Sequence, residues 1–141
     1  RSYNLLRFIT GAFFVLHGFV HLLYFGQSRR RFELQPGMTW PDSAWSFSKL
    51  LGLGDEATRS LASAVCGLAA LGFMASGLGV FLGRAWWRSV VVGAAAFSAV
   101  IFLLFWDGAL RQLDNQGAVA ILINAAILVA VLVARWPDFG F

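Results

Sequence analysis

Two histidines, His17 and His21, are the residues of this chain whose type and spacing could do chemistry. No other histidine occurs in the 141 residues, and a spacing of four places both side chains on one face of a helix. Two imidazoles so arranged can bind a metal ion such as zinc, copper or iron. Both lie in an apolar run, residues 5–25, where an ionisable pair is costly to place. The pair therefore predicts an interior functional site.

The residues leave the kind of site open. A metal centre needs a further ligand, for which Asp107 or Cys66 is available, so we predict His17, His21 and Asp107 as candidate metal ligands. The glutamate of an HExxH motif is missing, which makes a metal the weaker prediction. A single histidine could instead ligate a haem or chlorin. The alternative is a hydrogen-bonded interior pair that ties helices together.

The elements that must position this pair are apolar helices. Hydrophobic residues make up 59% of the chain and charged residues 13%, against about a quarter charged in soluble proteins. Four runs nearly free of charge are long enough to cross a bilayer, and they cover residues 5–25, 61–82, 86–106 and 117–134. Runs this apolar must be helical in lipid, because every backbone group needs an internal partner. We predict an all-α integral membrane four-helix bundle, with residues 1–141 as a single transmembrane domain.

The distribution of charged residues predicts the orientation of the chain in the membrane, and the net charge predicts a class of partner. The side predicted to hold both termini carries five arginines and one aspartate, whereas the other carries six basic and six acidic residues. Arginine content favours cytoplasmic termini in a bacterial inner membrane. The net charge of +4 is attributed to anionic lipid headgroups, and no basic cluster predicts binding of nucleic acid.

The longest predicted connection, residues 26–60, lies between the first and second helices. It contains Pro36 and Pro41 among aromatic residues, which is typical of a segment on a membrane surface. Residues 43–53 could form a short amphipathic helix whose apolar side chains face lipid, namely Trp45, Phe47, Leu50, Leu51 and Leu53. The segment either covers the end of the bundle or gates a substrate.

A polar seam follows the first helix. Steps of four and three residues describe one face of a helix in a left-handed bundle, and here they give Tyr3, Arg7, Thr10, Phe14, His17, His21, Tyr24 and Ser28. All but Phe14 carry a polar group, so we expect this seam to face the interior. Gly11 and Gly18 lie beside it and allow close approach of a neighbouring backbone.

The other helices carry small residues and a few polar ones. Small residues in helical register predict close packing, and they are Gly72, Ser76, Gly79 and Gly83, then Ser89, Gly93 and Ala96, then Gly117, Ala120 and Asn124. Asn124 needs a hydrogen-bonding partner and could join helices or bind a ligand. Counted from the side of the long loop, His17, Cys66, Ser98 and Asn124 lie at roughly 9–12 Å depth. This layer is the candidate site, with His17, His21, Asn124 and Tyr24 as the predicted cofactor-binding residues.

The first helix resembles that of DoxX-like proteins, which are small bacterial four-helix membrane proteins. The resemblance covers LLRFITGAFFVLHGFVHLLYF, in which Arg7, Gly11, Gly18 and His21 match the outline, and extends to GLGVFLGR at residues 77–84. Membership would imply an accessory or quinone-linked subunit of a membrane oxidoreductase.

Two functions remain after these observations. The first is an accessory subunit of a larger redox or energy-converting complex, which contacts lipids and other membrane subunits or a second copy, and which binds a haem, pigment or quinone. The second is a stand-alone small-molecule enzyme or transporter with a pocket beneath residues 26–60. The aromatic content of 16% offers more surface for partners than groups for turnover, so we expect the chain not to be catalytic by itself.

Overall fold

The computed structural model describes residues 2–111 and 113–141, with side chains at all of these except 2, 3 and 115. Tyr3, predicted at the start of the seam, therefore lies outside the described side chains. Regular structure within the described ranges is entirely helical, and its main elements are α1 (Ser2–Ser28), α2 (Asp55–Leu82), α3 (Trp87–Leu104) and α4 (Ala118–Leu128). This confirms the predicted all-α class.

Three of the helices are long and apolar enough to cross a membrane, and they cover Asn4–Ser28, Asp55–Leu82 and Trp87–Leu104. The fourth is shorter than its predicted span, because α4 has 11 residues and continues as a five-residue π-helical turn, Val129–Val133. Together they reach about 24 Å at the usual helical rise, somewhat less than the roughly 30 Å of a hydrocarbon core.

The second helix begins at Asp55, six residues before the predicted start. Asp55 and Glu56 lie in its first turn, where negative charge stabilises the positive end of the helix dipole. The connection to α1 is consequently residues 29–54, which we call the cover segment.

Glycines set the distance between α1 and α2. A Cβ atom at Gly18 would lie 2.9 Å from the carbonyl oxygen of Ala70, and one at Gly77 would lie 2.6 Å from that of Gly11. Neither separation is possible for real atoms, so these two backbones touch because the side chains are absent. The close packing predicted for Gly18 is confirmed.

The small residues of α3 differ from those of α2 and α4. Gly79 and Ser76 on α2 are buried, as are Gly117 and Ala120. Ser89, Gly93 and Ala96, which we call the α3 stripe, are instead exposed, and a Cβ at Gly93 would meet no atom within 4 Å. The prediction that this stripe packs closely is wrong within the single chain, because α3 turns its other face towards α2 and α4.

The cover segment packs onto the end of the bundle. Met38, Trp40 and Ala44 are buried in the same apolar cluster as Tyr24 and other core residues. The ring of Trp40 lies 5.0 Å from that of Tyr24, between ring centroids. The segment is therefore part of the core rather than a loose surface loop.

A π-helical turn, Trp45–Leu50, replaces the amphipathic helix predicted over residues 43–53. It closes the carboxyl end of α3: Trp45 Nε1 donates to the carbonyl of Leu103 at 2.7 Å and Ser46 Oγ donates to that of Leu104 at 2.6 Å. These bonds satisfy carbonyls that have no partner within the helix.

The orientation of the side chains on this turn agrees only partly with the prediction. Four of the five residues expected to face lipid are exposed, namely Trp45, Leu50, Leu51 and Leu53. The prediction for Phe47 is wrong, because its ring packs 4.8 Å from that of Phe105, between centroids.

Arginines bind carbonyls at the opposite end. Arg7 donates from Nε to Val80 O at 2.9 Å and from Nη2 to Phe81 O at 2.8 Å, which closes the last turn of α2. Arg88 donates to the carbonyls of Pro137 and Phe141 and thereby holds the carboxyl-terminal segment. An arginine inside the first apolar run is tolerated because its charge lies at a helix end, where cations are favoured.

Candidate functional site

Four buried side chains from three helices form the centre of the bundle. We call His17, His21, Ser98 and Asn124 the polar ring; each is at most 2% exposed. His17 Nε2 lies 2.9 Å from Asn124 Oδ1, Asn124 Nδ2 lies 2.8 Å from Ser98 Oγ, and Ser98 Oγ lies 2.6 Å from His21 Nε2. His21 Nδ1 lies 2.8 Å from the carbonyl oxygen of His17, which closes the ring.

The positions of the protons follow from the partners. A carbonyl can only accept, so His21 Nδ1 donates to His17 O. With neutral imidazoles, which an apolar interior favours, His21 Nε2 then accepts from the Ser98 hydroxyl. Ser98 in turn accepts from the amide of Asn124, and Asn124 Oδ1 accepts from His17 Nε2. Each hydrogen bond of the ring therefore has one donor and one acceptor, and the donors follow one another in the same direction around it.

One nitrogen stays outside this network. His17 Nδ1 is buried and has no hydrogen-bond partner among the described residues. Because His17 Nε2 carries the proton, Nδ1 holds an unshared electron pair. It is the atom of the polar ring that remains available to a ligand.

Aromatic rings surround the two imidazoles. The rings of His17 and His21 stand perpendicular, with centroids 4.9 Å apart. Phe73 lies against both, at 4.5 Å from His17 and 5.0 Å from His21, and Phe102 lies 5.7 Å from His21. This apolar surrounding strengthens the bonds of the ring and makes any unpaired group costly.

The other predicted site residues lie apart from the ring. Tyr24 is buried one helical turn further along, and its hydroxyl donates to the carbonyl of Asp114 at 3.4 Å. Asp107 lies in the connection after α3, where its carboxylate accepts from the backbone N–H of Ala109 at 2.8 Å. Cys66 is buried in the apolar cluster that contains Tyr24.

The predicted metal ligands do not converge. Among the described residues, no three histidine, cysteine or carboxylate side chains lie together as a group that could hold a metal ion. His17 and His21 face each other, but Asp107 is not brought to them. Ring nitrogens of both histidines already take part in hydrogen bonds.

Ser98 lay in the predicted candidate layer but was not among the predicted cofactor-binding residues. Its depth matched that of His17, but depth gives no direction around the helix axis. The structure turns Ser98 inward, and its hydroxyl is the link between His21 and Asn124. The signal in the sequence that could have identified Ser98 was a serine at the depth of an isolated histidine pair.

The region between the cover segment and the ring is closed by side chains. Gln27 is fully buried and holds the segment from both ends of its amide: Nε2 donates to Met38 O at 3.0 Å, and Oε1 accepts from the N–H of Leu34 at 2.9 Å. Trp40 fills the space next to Phe102, with centroids 5.7 Å apart. The segment was predicted either to cover the end of the bundle or to gate a substrate. These contacts favour the covering role.

A carboxylate fastens the cover segment from outside. Asp42 receives Arg30 Nη2 at 2.9 Å and Arg59 Nη2 at 2.6 Å. Partial burial raises the pKa of Asp42, but the hydrogen bonds from Arg59 and the charge of Arg30 outweigh it and leave the pKa below its usual value. Asp42 is therefore an ionised clasp that holds two parts of the cover segment together and ties them to α2 through Arg59.

An apolar crevice of about 340 Å³ lies between α1 and the last helix. Leu6, Phe13 and Phe14 line one side, and Ile123, Ile127 and Val131 the other. The bond between His17 and Asn124 crosses between the same two helices. The polar ring thus joins helices that elsewhere leave a gap.

No protein-family model matches this chain, and neither curated proteins nor solved structures give a significant match. The resemblance to DoxX-like proteins stays a prediction. The functional inference depends on the geometry of the polar ring and on the surfaces around it.

Proposed function

We propose that this chain is a multipass protein of the bacterial inner membrane, with both termini in the cytoplasm. Three helices of sufficient length and hydropathy support the membrane placement, as do the many large apolar side chains that they expose. The excess of arginine on the side that holds Arg7, Arg84 and Arg88 supports the orientation.

We infer further that it is an accessory subunit of a larger redox or energy-converting complex. The observation that carries this proposal is the exposed α3 stripe of Ser89, Gly93 and Ala96. In lipid, small residues of this spacing let two helices approach closely. No described part of the chain packs onto the stripe, so a transmembrane helix of another subunit is its proposed partner.

The polar ring supports a structural role more than turnover. Four hydrogen bonds close on one another, and the cover segment packs over them. A substrate would have to break these bonds before any group could act on it. We therefore assign the ring the task of fixing α1, α3 and α4 in one register.

If a cofactor is bound, His17 is the residue that would hold it. Its Nδ1 is the unpartnered nitrogen, and an unshared pair suits the metal of a haem or chlorin, or the hydroxyl of a quinol. A quinone carbonyl, which only accepts, does not suit an unprotonated nitrogen. Such a group would supply electron transfer, while the chain would orient it through the His17–Asn124 bond.

The accessory role is tested by purification in mild detergent from membranes of the source cell. The wild-type chain should be recovered with further membrane subunits. Gly93→Leu should lose them, because the larger side chain fills the α3 stripe. Ala125→Leu, which creates the same side chain at an exposed position of α4, should retain them. Recovery as a lone monomer, or as a homo-oligomer without other subunits, would refute the proposal.

The cofactor assignment is tested by absorption spectra and metal analysis of the purified protein. A bound haem or chlorin should be lost in His17→Ala and kept in His21→Ala, since only His17 has a free nitrogen. If neither substitution changes the bound group while both lower thermal stability, the ring is structural alone.

A further inference from the structure

A basic pocket of about 400 Å³ lies outside the polar ring, where α1 ends and α2 begins. We call it the arginine pocket, and its lining consists of Ser28, Arg29, Arg30, Arg31, Glu56, Arg59 and Ser60. No step of the proposed function uses it.

The charge of this pocket favours an anion. Four guanidinium groups line it, together with the carboxylate of Glu56, and Asp42 lies behind Arg30 and Arg59. The charge of Asp55 also acts on Arg59, so three negative charges against four positive ones leave a net charge of +1. Arginine is the side chain best suited to phosphate, because its planar group can donate two parallel hydrogen bonds.

Two of the arginines are held in place and two are not engaged. Arg59 donates from Nε and Nη2 to the two oxygens of Asp42, at 2.7 and 2.6 Å. Arg30 donates to the same carboxylate and to carbonyls of the cover segment, including that of Thr39 at 2.8 Å. Across the described residues, the side chains of Arg29 and Arg31 have neither a hydrogen-bond nor an ion-pair partner, and both are exposed. The pocket thus has a rigid wall and two free cations.

The position of the pocket suits a lipid headgroup. Ser28 ends the first apolar helix, and Arg59 and Ser60 precede the apolar part of α2. Phe25 and Leu61 are exposed at 39% and 37% just inside this level, where acyl chains would lie. A lipid at this level presupposes the membrane placement proposed above.

We propose that the arginine pocket binds the phosphate of an anionic glycerophospholipid. Arg29 and Arg31 donate to the phosphate oxygens. The hydroxyl of Ser60, which has no hydrogen-bond partner among the described residues, is a further donor. Glu56 accepts from a headgroup hydroxyl, which favours a glycerol headgroup over one that ends in a bare phosphate. Free phosphate shares the chemistry of the anion but would gain nothing from Phe25 and Leu61.

The test is native mass spectrometry of the full chain, taken from nanodiscs of phosphatidylglycerol or of phosphatidylcholine. The wild-type protein should retain phosphatidylglycerol and not phosphatidylcholine. Arg29→Gln/Arg31→Gln should weaken that retention about 25-fold, since each arginine near a charged surface contributes about a fivefold effect. Both side chains lack partners, so the fold should be unchanged.

Arg84→Gln/Arg135→Gln is the matched control. It removes the same charge from exposed positions at the other end of the bundle, and it should retain phosphatidylglycerol as the wild type does. Equal retention by the Arg29→Gln/Arg31→Gln protein would overturn the proposal. Displacement of the lipid by excess inorganic phosphate would also overturn it, because the ligand would then be the soluble anion.

The same experiment distinguishes failure of the lipid site from failure of the membrane placement. A chain that does not integrate into nanodiscs of either lipid refutes the membrane placement and, with it, the lipid site. A chain that integrates into both, yet shows no preference between the two lipids, refutes the lipid site alone.

Discussion

Asn124 and His17 are joined by a hydrogen bond of 2.9 Å, although 107 positions separate them in the chain. It links α4, the shortest of the main helices, to α1 above an apolar crevice. The bond also fixes the proton of His17 on Nε2. One contact therefore decides both the packing of α4 and which nitrogen of His17 remains free.

Replacing Asn124 by leucine should destabilise the bundle. The substitution leaves His17 Nε2–H without an acceptor and Ser98 Oγ without one donor, at a cost of about 1–2 kcal/mol in a membrane protein. In a double-mutant cycle with His17→Leu, unfolding in detergent should show a coupling free energy of about 1 kcal/mol. Additive effects of the two substitutions would contradict a direct bond.

Ser98→Ala should lower stability by a similar amount, about 1–2 kcal/mol. His21 Nε2 loses its donor and Asn124 Nδ2 its acceptor. Ser76→Ala is the matched control, because that buried hydroxyl bonds only the carbonyl of Gly72 on its own helix, at 2.7 Å. Thermal unfolding followed by circular dichroism compares the two, and equal losses would show that the ring adds nothing.

Gly77→Ala should destabilise the contact between α1 and α2. The new methyl group would lie 2.6 Å from both Gly11 O and a methyl group of Val15, so the backbones must separate at a cost of about 1–3 kcal/mol. Gly93→Ala, which meets no atom within 4 Å, should leave the isolated chain equally stable or up to about 1 kcal/mol more stable. The same thermal unfolding assay measures both, and the reverse order would refute the packing described.

Asp42→Asn should reduce the loss of stability that occurs as the pH falls. The pKa of Asp42 is lowered in the folded state, so its contribution is complete above the ordinary value of about 3.9. That contribution disappears as the pH falls through the lowered value. At pH 7 the variant should lose about 1 kcal/mol.

Melting temperatures from neutral pH down to pH 3 measure this effect. Glu56→Gln removes one negative charge at the same end of the bundle without breaking a hydrogen bond, and it should keep the acid-dependent decrease. An unaltered acid response in the Asp42→Asn protein would show that the clasp is not what acid releases.

The histidine pair, the apolar helices and the need of Asn124 for a partner were predictable because each is local. The length of an apolar run can be counted, and residues four apart lie on one face of a helix, whatever the remainder of the chain does. These features predicted the all-α class, the approximate places of the four helices and two of the three helices that meet at the polar ring.

The tertiary structure alone decided the rest, because direction around a helix axis depends on how every helix packs against its neighbours. It turned Ser98 inward and the α3 stripe outward, although both stand on the same helix. It also brought Trp40 into the core and left Asp107 apart from the histidines. Above all, it assigned the protons: His17 and His21 are the same residue type on one helix face, but only His17 keeps an unpartnered nitrogen, because proton positions depend on partners from distant parts of the chain.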